Sequence, residues 1–191
     1  PTAVAGSNFT SCYTSGAINI TAGSSATNYT SITWTSSGTG TFTNPNSLTT
    51  CTYAPSAADI TAGSVTLTLT ASNGGCTDVI STKTMTISTL PTAVAGAALS
   101  TCATAAAINI TGGSSATNQT GVTWTSSGTG TFTNANSLTL CTYNPSAADK
   151  TAGSVTLTLT ATGVAPCANA TSTKVLTISR VMTAAAGTAI S

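Results

Sequence analysis

The stretch GSVTLTLTA stands at Gly63–Ala71 and returns unchanged at Gly153–Ala161. Its apolar residues Val65, Leu67 and Leu69 alternate with threonines. Because successive side chains of a β-strand point to opposite faces, this pattern predicts a strand with one buried and one solvent-exposed face. Threonine and valine are β-branched and favour strands. The stretch therefore indicates an all-β fold.

The chain around this strand is an internal repeat. PTAVAG, AINIT, SSATN and TWTSSGTGTFTN each occur twice at a spacing of 90 residues. After Ala161 one additional residue shifts the spacing, so that Cys76 corresponds to Cys167 and Lys83 to Lys174. The first question for such a sequence is what one copy folds into.

The end of the chain resembles the start of another copy. VMTAAAGTAIS at Val181–Ser191 is similar to LPTAVAGAALS at Leu90–Ser100. We therefore predict repeat domains at 1–90 and 91–180, and the first strand of a third repeat at 181–191. That strand either continues in the same chain or is added to a neighbouring subunit. The linker Thr89–Pro91 is short, which predicts stiff end-to-end modules.

One copy has the size of a small β-sandwich rather than of a solenoid rung. Turn residues separate its strands at Asn44–Asn46, Pro55–Asp59 and Asn73–Gly75. The first copy has about seven candidate strands: Thr2–Ala5, Ala17–Thr21, Ser31–Thr35, Thr39–Thr43, Leu48–Tyr53, Ser64–Ala71 and Thr82–Ser88.

The aromatic residues fit the core of such a sandwich. Trp34 and Trp124 could stack on a sugar if exposed, but their place on a central strand predicts burial. The core also includes Phe42 and Tyr53, with Phe132 and Tyr143 in the second copy. The full predicted inward set of the first copy is Ile18, Ile20, Ile32, Trp34, Phe42, Leu48, Tyr53, Val65, Leu67, Leu69, Met85 and Ile87.

The composition excludes several classes of function. Only 4% of the residues are charged and the net charge is +1, which leaves no basic surface for nucleic acid. No apolar run approaches the roughly 20 residues that span a bilayer, so we expect no membrane insertion in this segment. Pro1–Thr10 shows no signal peptide. An almost uncharged surface suits an anchored, glycosylated or polymerised extracellular protein.

No residues form a catalytic, metal or cofactor site. The chain has no His and no Glu, so general acid–base catalysis has no candidates and we expect no enzyme and no cofactor. Gly38-x-Gly40 lacks the Lys and the following helix of a phosphate loop, and we interpret it as a turn whose glycines are hinges. Asp59 and Asp149 supply one carboxylate per copy, too few for calcium, and each is predicted to cap a turn.

Taken in order, the motifs resemble a known family. PTAVAG, a Cys, AINITAG, TWTSSGTGTF, CTYAPSAADITAGSVTLTLTA, a Gly–Cys loop and TMTIS are similar to the immunoglobulin-like, PKD-like repeats of long bacterial surface proteins and gliding-type adhesins. The resemblance covers both copies, and NSLTTCTYAPSAADITAGSVTLTLTA is its most specific part. It implies tandem immunoglobulin-like β-sandwich domains, without catalysis, in an extracellular stalk or adhesin. Where that family often has Thr, this chain has Cys51 and Cys141.

The six cysteines fall as three per copy, and in an exported protein an even total predicts disulfides. In an immunoglobulin-like sandwich Cys12 and Cys76 would lie at opposite poles, farther apart than the roughly 6 Å between Cα atoms that a disulfide allows. We therefore predict a Cys12–Cys167 bond between the repeats. Cys76 and Cys102 would make the same bond to neighbouring repeats. The alternatives are bonds within one copy, Cys12–Cys76 or Cys12–Cys51, and Cys51 and Cys141 remain for lateral bonds or as buried thiols.

The sequence supports two hypotheses of function. The first is a structural repeat segment of an extracellular bacterial adhesin, stalk or filament, a stiff disulfide-stabilised spacer whose partners are further copies of the repeat. The second is a module that binds surface glycans or ice through exposed threonine ladders such as Thr66, Thr68 and Thr70. The same hydroxyl groups could carry O-linked glycans. Six Asn-x-Thr sequons are also present: Asn8, Asn19, Asn28, Asn109, Asn118 and Asn169.

Overall fold

A computed structural model of the chain describes residues 1–14 and 16–180. The contacts between residues divide these into two units. The first is Pro1–Leu90 together with Val164–Ala168, and the second is Pro91–Gly163 together with the described residues from Asn169 onward. The five residues Val164–Ala168, which the repeat pattern assigns to the second copy, thus belong to the first unit. The strand predicted at 181–191 lies outside the described residues.

Each unit contains nine strands and one short helix in the same order. The first unit comprises β1 (Thr2–Val4), β2 (Phe9–Tyr13), β3 (Ile18–Asn19), β4 (Ser25–Thr27), β5 (Ser31–Ser36), β6 (Thr41–Thr43), β7 (Thr52–Ala54), α1 (Ala57–Ala62), β8 (Ser64–Asn73) and β9 (Cys76–Thr89). The second unit comprises β10 (Thr92–Val94), β11 (Leu99–Cys102), β12 (Ile108–Asn109), β13 (Ser115–Thr117), β14 (Gly121–Ser126), β15 (Thr131–Thr133), β16 (Thr142–Asn144), α2 (Ala147–Ala152), β17 (Ser154–Thr162) and β18 (Ala170–Ser179).

The strands of the first unit form three sheets. A four-stranded sheet has the order β2-β9-β8-β5, a three-stranded sheet has the order β3-β7-β6, and β1 pairs with β4. All pairs are antiparallel except β2 with β9, which is parallel. The second unit repeats the arrangement as β11-β18-β17-β14, β12-β16-β15 and β10-β13. This confirms an all-β fold of tandem sandwich domains. In each unit the four-stranded and three-stranded sheets together contain seven strands.

The stretch SVTLTLTA forms most of β8, and its alternation is confirmed. Val65, Leu67 and Leu69 are buried, whereas the threonines between them face outward. In the antiparallel pairing of β5 with β8, Trp34 lies opposite Leu69. Trp34 and Tyr53 are fully buried, and the Phe42 ring packs on Tyr53 with 4.8 Å between the ring centroids. Trp124, Tyr143 and Phe132 repeat this core in the second unit.

Several local predictions were wrong. The strand expected at Leu48–Tyr53 covers only Thr52–Ala54, because the Ser47 hydroxyl accepts hydrogen bonds from the Thr49 and Thr50 amides and holds this segment in a turn. The turn expected at Pro55–Asp59 contains the start of α1. Strands β2 and β4 were not predicted.

Helix α1 has complete end signals despite its six residues. The Ser56 hydroxyl accepts from the Asp59 amide, and the Asp59 carboxylate accepts from the Ser56 amide, which is a capping box. Gly63 ends the helix in the left-handed conformation, with φ of 75°, which favours glycine. The same signals recur around Ser146, Asp149 and Gly153. The capping role predicted for the two aspartates is therefore present, but at a helix.

Candidate functional site

The Asp59 carboxylate is the centre of a buried polar cluster. Its oxygens accept hydrogen bonds from the Thr39 amide at 3.0 Å, the Gly40 amide at 2.9 Å, the Ser56 amide at 2.9 Å and the Tyr53 hydroxyl at 2.7 Å. Burial by itself raises the pKa of this carboxyl, but the hydrogen bonds from Ser56, Tyr53 and Thr39 outweigh it and lower the pKa from 3.8 to about 2. The carboxylate thus stays ionised and fixes the β5–β6 turn to α1.

The two glycines of the β5–β6 turn permit this close approach. A Cβ atom at Gly38 would lie 2.2 Å from Asp59 Oδ1, and one at Gly40 would lie 2.3 Å from the Ala54 carbonyl oxygen. Neither glycine has a positive φ. Both glycines lie between β5 and β6, where a turn was predicted, and both are required because a side chain would not fit. Their role as hinges remains a prediction. The backbone amides of this turn hold an anion, but that anion is the protein's own carboxylate.

The same cluster exists in the second unit. Tyr143 donates to Asp149 at 2.7 Å, and the Thr129 amide donates to it at 3.0 Å. The hydrogen bonds that satisfy each aspartate come from within its own unit. In the ranges 1–14 and 16–180, no group of three or more metal-ligating side chains could hold a metal ion. We interpret both clusters as supports of the scaffold.

A buried lysine lies in the core of each unit, at a position where the sequence did not predict a buried charge. Lys83 is 2% exposed. Its Nζ donates to the Ile20 carbonyl oxygen and lies 3.5 Å from that of Ala22. The ammonium group also lies 5.2 Å from the centroid of the Trp34 ring, at cation–π distance. A neutral surrounding of this kind lowers the pKa of Lys83, because burial disfavours the charged form.

A buried thiol accompanies each of these lysines. Cys51 has no exposed surface, and its carbonyl oxygen accepts from the Ile20 amide at 3.2 Å. Burial raises the pKa of the thiol to about 11, a shift that the charge of Lys83 partly opposes. Lys174 and Cys141 repeat the pair in the second unit. Such thiols are protonated at neutral pH and have little reactivity.

Cys12 and Cys167 form a disulfide, with 5.0 Å between their Cα atoms and a sequence separation of 155 residues. Cys12 lies on β2, and Cys167 lies in Val164–Ala168, the part of the second copy that belongs to the first unit. Cys167 is 7% exposed, and its sulfur lies 3.5 Å from the Ser88 carbonyl oxygen on β9. The bond therefore lies beside the four-stranded sheet of the first unit.

The other cysteines are free in the described part of the chain. Cys51 and Cys141 are buried, whereas Cys76 and Cys102 are exposed. Exposure and burial thus divide the four free thiols into two classes. Among these four thiols, only those of Cys76 and Cys102 can react with reagents in the solvent.

The outer face of the four-stranded sheet carries rows of threonines. Thr35 lies opposite Thr68, which lies opposite Thr82 across three strands. In the next row Thr33 lies opposite Thr70, but Ile80 interrupts the row and is 63% exposed. Adjacent strands lie about 4.8 Å apart, so the hydroxyl groups form an approximately regular two-dimensional pattern.

Two surface depressions lie at equivalent turns of the two units. In the first unit a depression of about 530 Å³ is lined by Asn44, Pro45, Asn46, Ser47 and Thr50. Its counterpart in the second unit, of about 340 Å³, is lined by Asn134, Ala135, Asn136, Ser137 and Leu140. Both have amide and hydroxyl groups and no charged side chain.

No helix in the described ranges is both long enough and apolar enough to cross a membrane. The sequence matches no protein-family profile and no curated protein. Among solved structures, the chain is similar to protocadherin gamma B2 extracellular cadherin domains 3–6, with 14% identity, a TM-score of 0.40, and coverage of 94% of this chain and 47% of that chain. It is also similar to mouse cadherin-23 EC22–24, with 18% identity, a TM-score of 0.34, and coverage of 78% and 53% respectively. The chain spans about half the length of these two chains.

Proposed function

We propose that this chain is a structural repeat segment of an extracellular bacterial adhesin, stalk or filament, in which it acts as a stiff disulfide-stabilised spacer. The observation that carries the proposal is the disulfide between Cys12 and Cys167, which closes a covalent ring through most of both copies. Disulfides of this kind persist in oxidising compartments outside the cytosol.

The buried polar groups support the same function. Asp59 and Asp149 connect turns to helices within their own units, and Lys83 and Lys174 donate to core carbonyl groups. The ionisable groups that are buried therefore serve the scaffold in both copies. A repeated scaffold with neutral outer faces is suited to holding other parts of a protein at a distance.

Surface labelling tests the proposal. Antibodies against the chain are applied to intact cells that produce it, with a cytosolic protein as the control for leakage. We expect binding before permeabilisation, and loss of the epitope after brief treatment of the intact cells with protease. An epitope that becomes accessible only after lysis would contradict an extracellular spacer.

A second candidate function is binding to a neutral glycan surface or to ice. The specific observation in its favour is the threonine row Thr35–Thr68–Thr82 on an open sheet face. Glycan arrays and an ice-recrystallisation assay test it, with Thr68→Lys as the disrupting variant. Thr50→Lys, in the turn before β7 and outside the strand row, is the matched control. Activity that Thr68→Lys abolishes and Thr50→Lys retains would replace the spacer hypothesis, whereas inactivity of the unmodified chain in both assays would reject this candidate.

A further inference from the structure

The two exposed thiols are the repeat counterparts of the two bonded cysteines. Cys102 corresponds to Cys12, and Cys76 corresponds to Cys167. Cys12 and Cys167 are joined, whereas Cys76 and Cys102 are free and exposed. We propose that Cys102 of one copy of this chain forms a disulfide with Cys76 of a second copy, an inference that rests on the proposed structural function and names its partner.

Cys102 occupies the same position on its sheet as Cys12. β2 runs parallel to β9 with Cys12 opposite Ser88, and β11 runs parallel to β18 with Cys102 opposite Ser179. In both units the cysteine thus lies near the end of the short parallel strand that borders the four-stranded sheet. The second unit therefore presents the site that Cys167 occupies in the first unit, with its thiol free.

Cys76 lies where a partner can approach it. It is the first residue of β9 and pairs with Asn73 across a turn formed by Gly74 and Gly75. A Cβ atom at either glycine would meet no other atom within 4 Å, so the turn projects into open space. Cys167 likewise lies in the connection between the corresponding strands of its own copy.

The proposed contact is head-to-tail. It joins β11 of one copy to the β8–β9 turn of another, so each bonded pair retains one free Cys76 and one free Cys102. Such a heterologous contact generates open chains unless its rotation closes a ring. Repetition of the bond would give a covalent series of this chain.

The chemistry requires an oxidant of the low-molecular-weight disulfide class, such as oxidised glutathione. The Cys102 thiolate attacks one sulfur of the oxidant, forms a mixed disulfide and releases one small thiolate. The Cys76 thiolate of the second copy then attacks the Cys102 sulfur and releases the other. Two protein thiols lose two protons and two electrons, and one molecule of the oxidant becomes two thiols.

Two single variants, Cys76→Ser and Cys102→Ser, test the pairing. Each variant is treated with oxidised glutathione by itself, and the two are also treated together as an equimolar mixture. The products are separated by non-reducing electrophoresis and assigned by peptide mapping. We expect a ladder from the unmodified chain, monomers from each variant alone, and a dimer without higher species from the mixture. Mapping should identify the Cys102–Cys76 bond and an intact Cys12–Cys167 bond in every sample.

Symmetric dimers of either variant that form as fast as the mixed dimer would overturn the proposal, as would an unmodified chain that stays monomeric at all protein concentrations. The Cys12–Cys167 bond in the map shows that each variant keeps the native pairing. Surface labelling reports the location of the protein and not this bond, whereas the ladder reports the bond and not the location. Failure of one proposal is therefore distinguishable from failure of the other.

Discussion

The Cys12–Cys167 disulfide should remove most of the chain from the path of a stretching force. When force is applied between the two ends of the chain, it passes from Cys12 directly to Cys167. The residues between them form a closed loop that cannot extend while the bond is intact. The proposed spacer role therefore leads to a quantitative mechanical prediction.

The hidden length follows from the sequence separation. Each extended residue contributes roughly 3.3–3.6 Å, so the 155 positions between the two cysteines correspond to about 510–560 Å. The 5.0 Å between the bonded Cα atoms is negligible beside this length. Reduction of the bond, or the variant Cys12→Ser, should make the whole of that length available to force.

Single-molecule force spectroscopy with handles at the two ends measures this length directly. We expect the contour length gained on complete unfolding to be larger by about 510–560 Å for Cys12→Ser than for the oxidised chain. Cys76→Ser, which keeps the bond, is the control and should match the unmodified chain. If the oxidised and reduced chains released the same length, the bond would not carry the load, which would contradict this prediction.

Three further predictions concern stability, measured by denaturant unfolding of the oxidised chain. Asp59→Asn should lower the free energy of unfolding by about 2–3 kcal/mol at pH 7, because it weakens hydrogen bonds to a buried charge. The pKa of this carboxyl is lowered in the folded chain, so the stabilisation is complete above pH 4 and should disappear as the pH falls through about 2. Asp78→Asn changes an exposed residue and is the control. An equal loss of stability from both variants would contradict the role of the cluster. Gly40→Ala should lower the free energy of unfolding by about 1–3 kcal/mol, because its Cβ would overlap the Ala54 carbonyl oxygen. Gly74→Ala, at the open turn, is the control and should have little effect. Similar effects at both positions would contradict the steric role of Gly40. Lys83→Met should remove a pH dependence of stability, because burial lowers the pKa of Lys83 in the folded chain. The unmodified chain should therefore gain stability relative to the variant as the pH rises toward 10.5. A stability difference that does not change with pH would show that Lys83 has the same pKa in the folded and unfolded chain.

The sequence predicted those features that depend on residues close together along the chain. The alternation in GSVTLTLTA located β8 and its buried face, and the inward set around Trp34 lies in the core. By contrast, β2 was missed because FTSCY is a strand only through its parallel pairing with β9, whose residues lie far away in the sequence. Helix α1 was interpreted as a turn because its six residues are too few to show helical periodicity.

The polar core was also partly predictable. Lys83, Met85 and Ile87 alternate along β9 with outward-facing threonines, so the same rule that located Leu67 would have placed Lys83 inside. The charge of Lys83 instead favoured an exposed position, since lysine is rarely buried without a charged partner. The need for Gly38 and Gly40 could not be predicted, because it arises from contacts with Asp59 and Ala54 that exist only in the folded unit.

The burial of charge has a consequence for the protein in solution. Of the seven charged residues, Asp59, Lys83, Asp149 and Lys174 are buried, which leaves Asp78, Lys150 and Arg180 as the charged side chains that contact solvent. These three charged side chains leave the outer surface nearly free of charge, so electrostatic attraction to charged partners is weak. Hydration of hydroxyl groups keeps the molecule dispersed, and strongly hydrated anions such as sulfate compete for that water. The protein should pass through ion exchangers of either sign and salt out sharply.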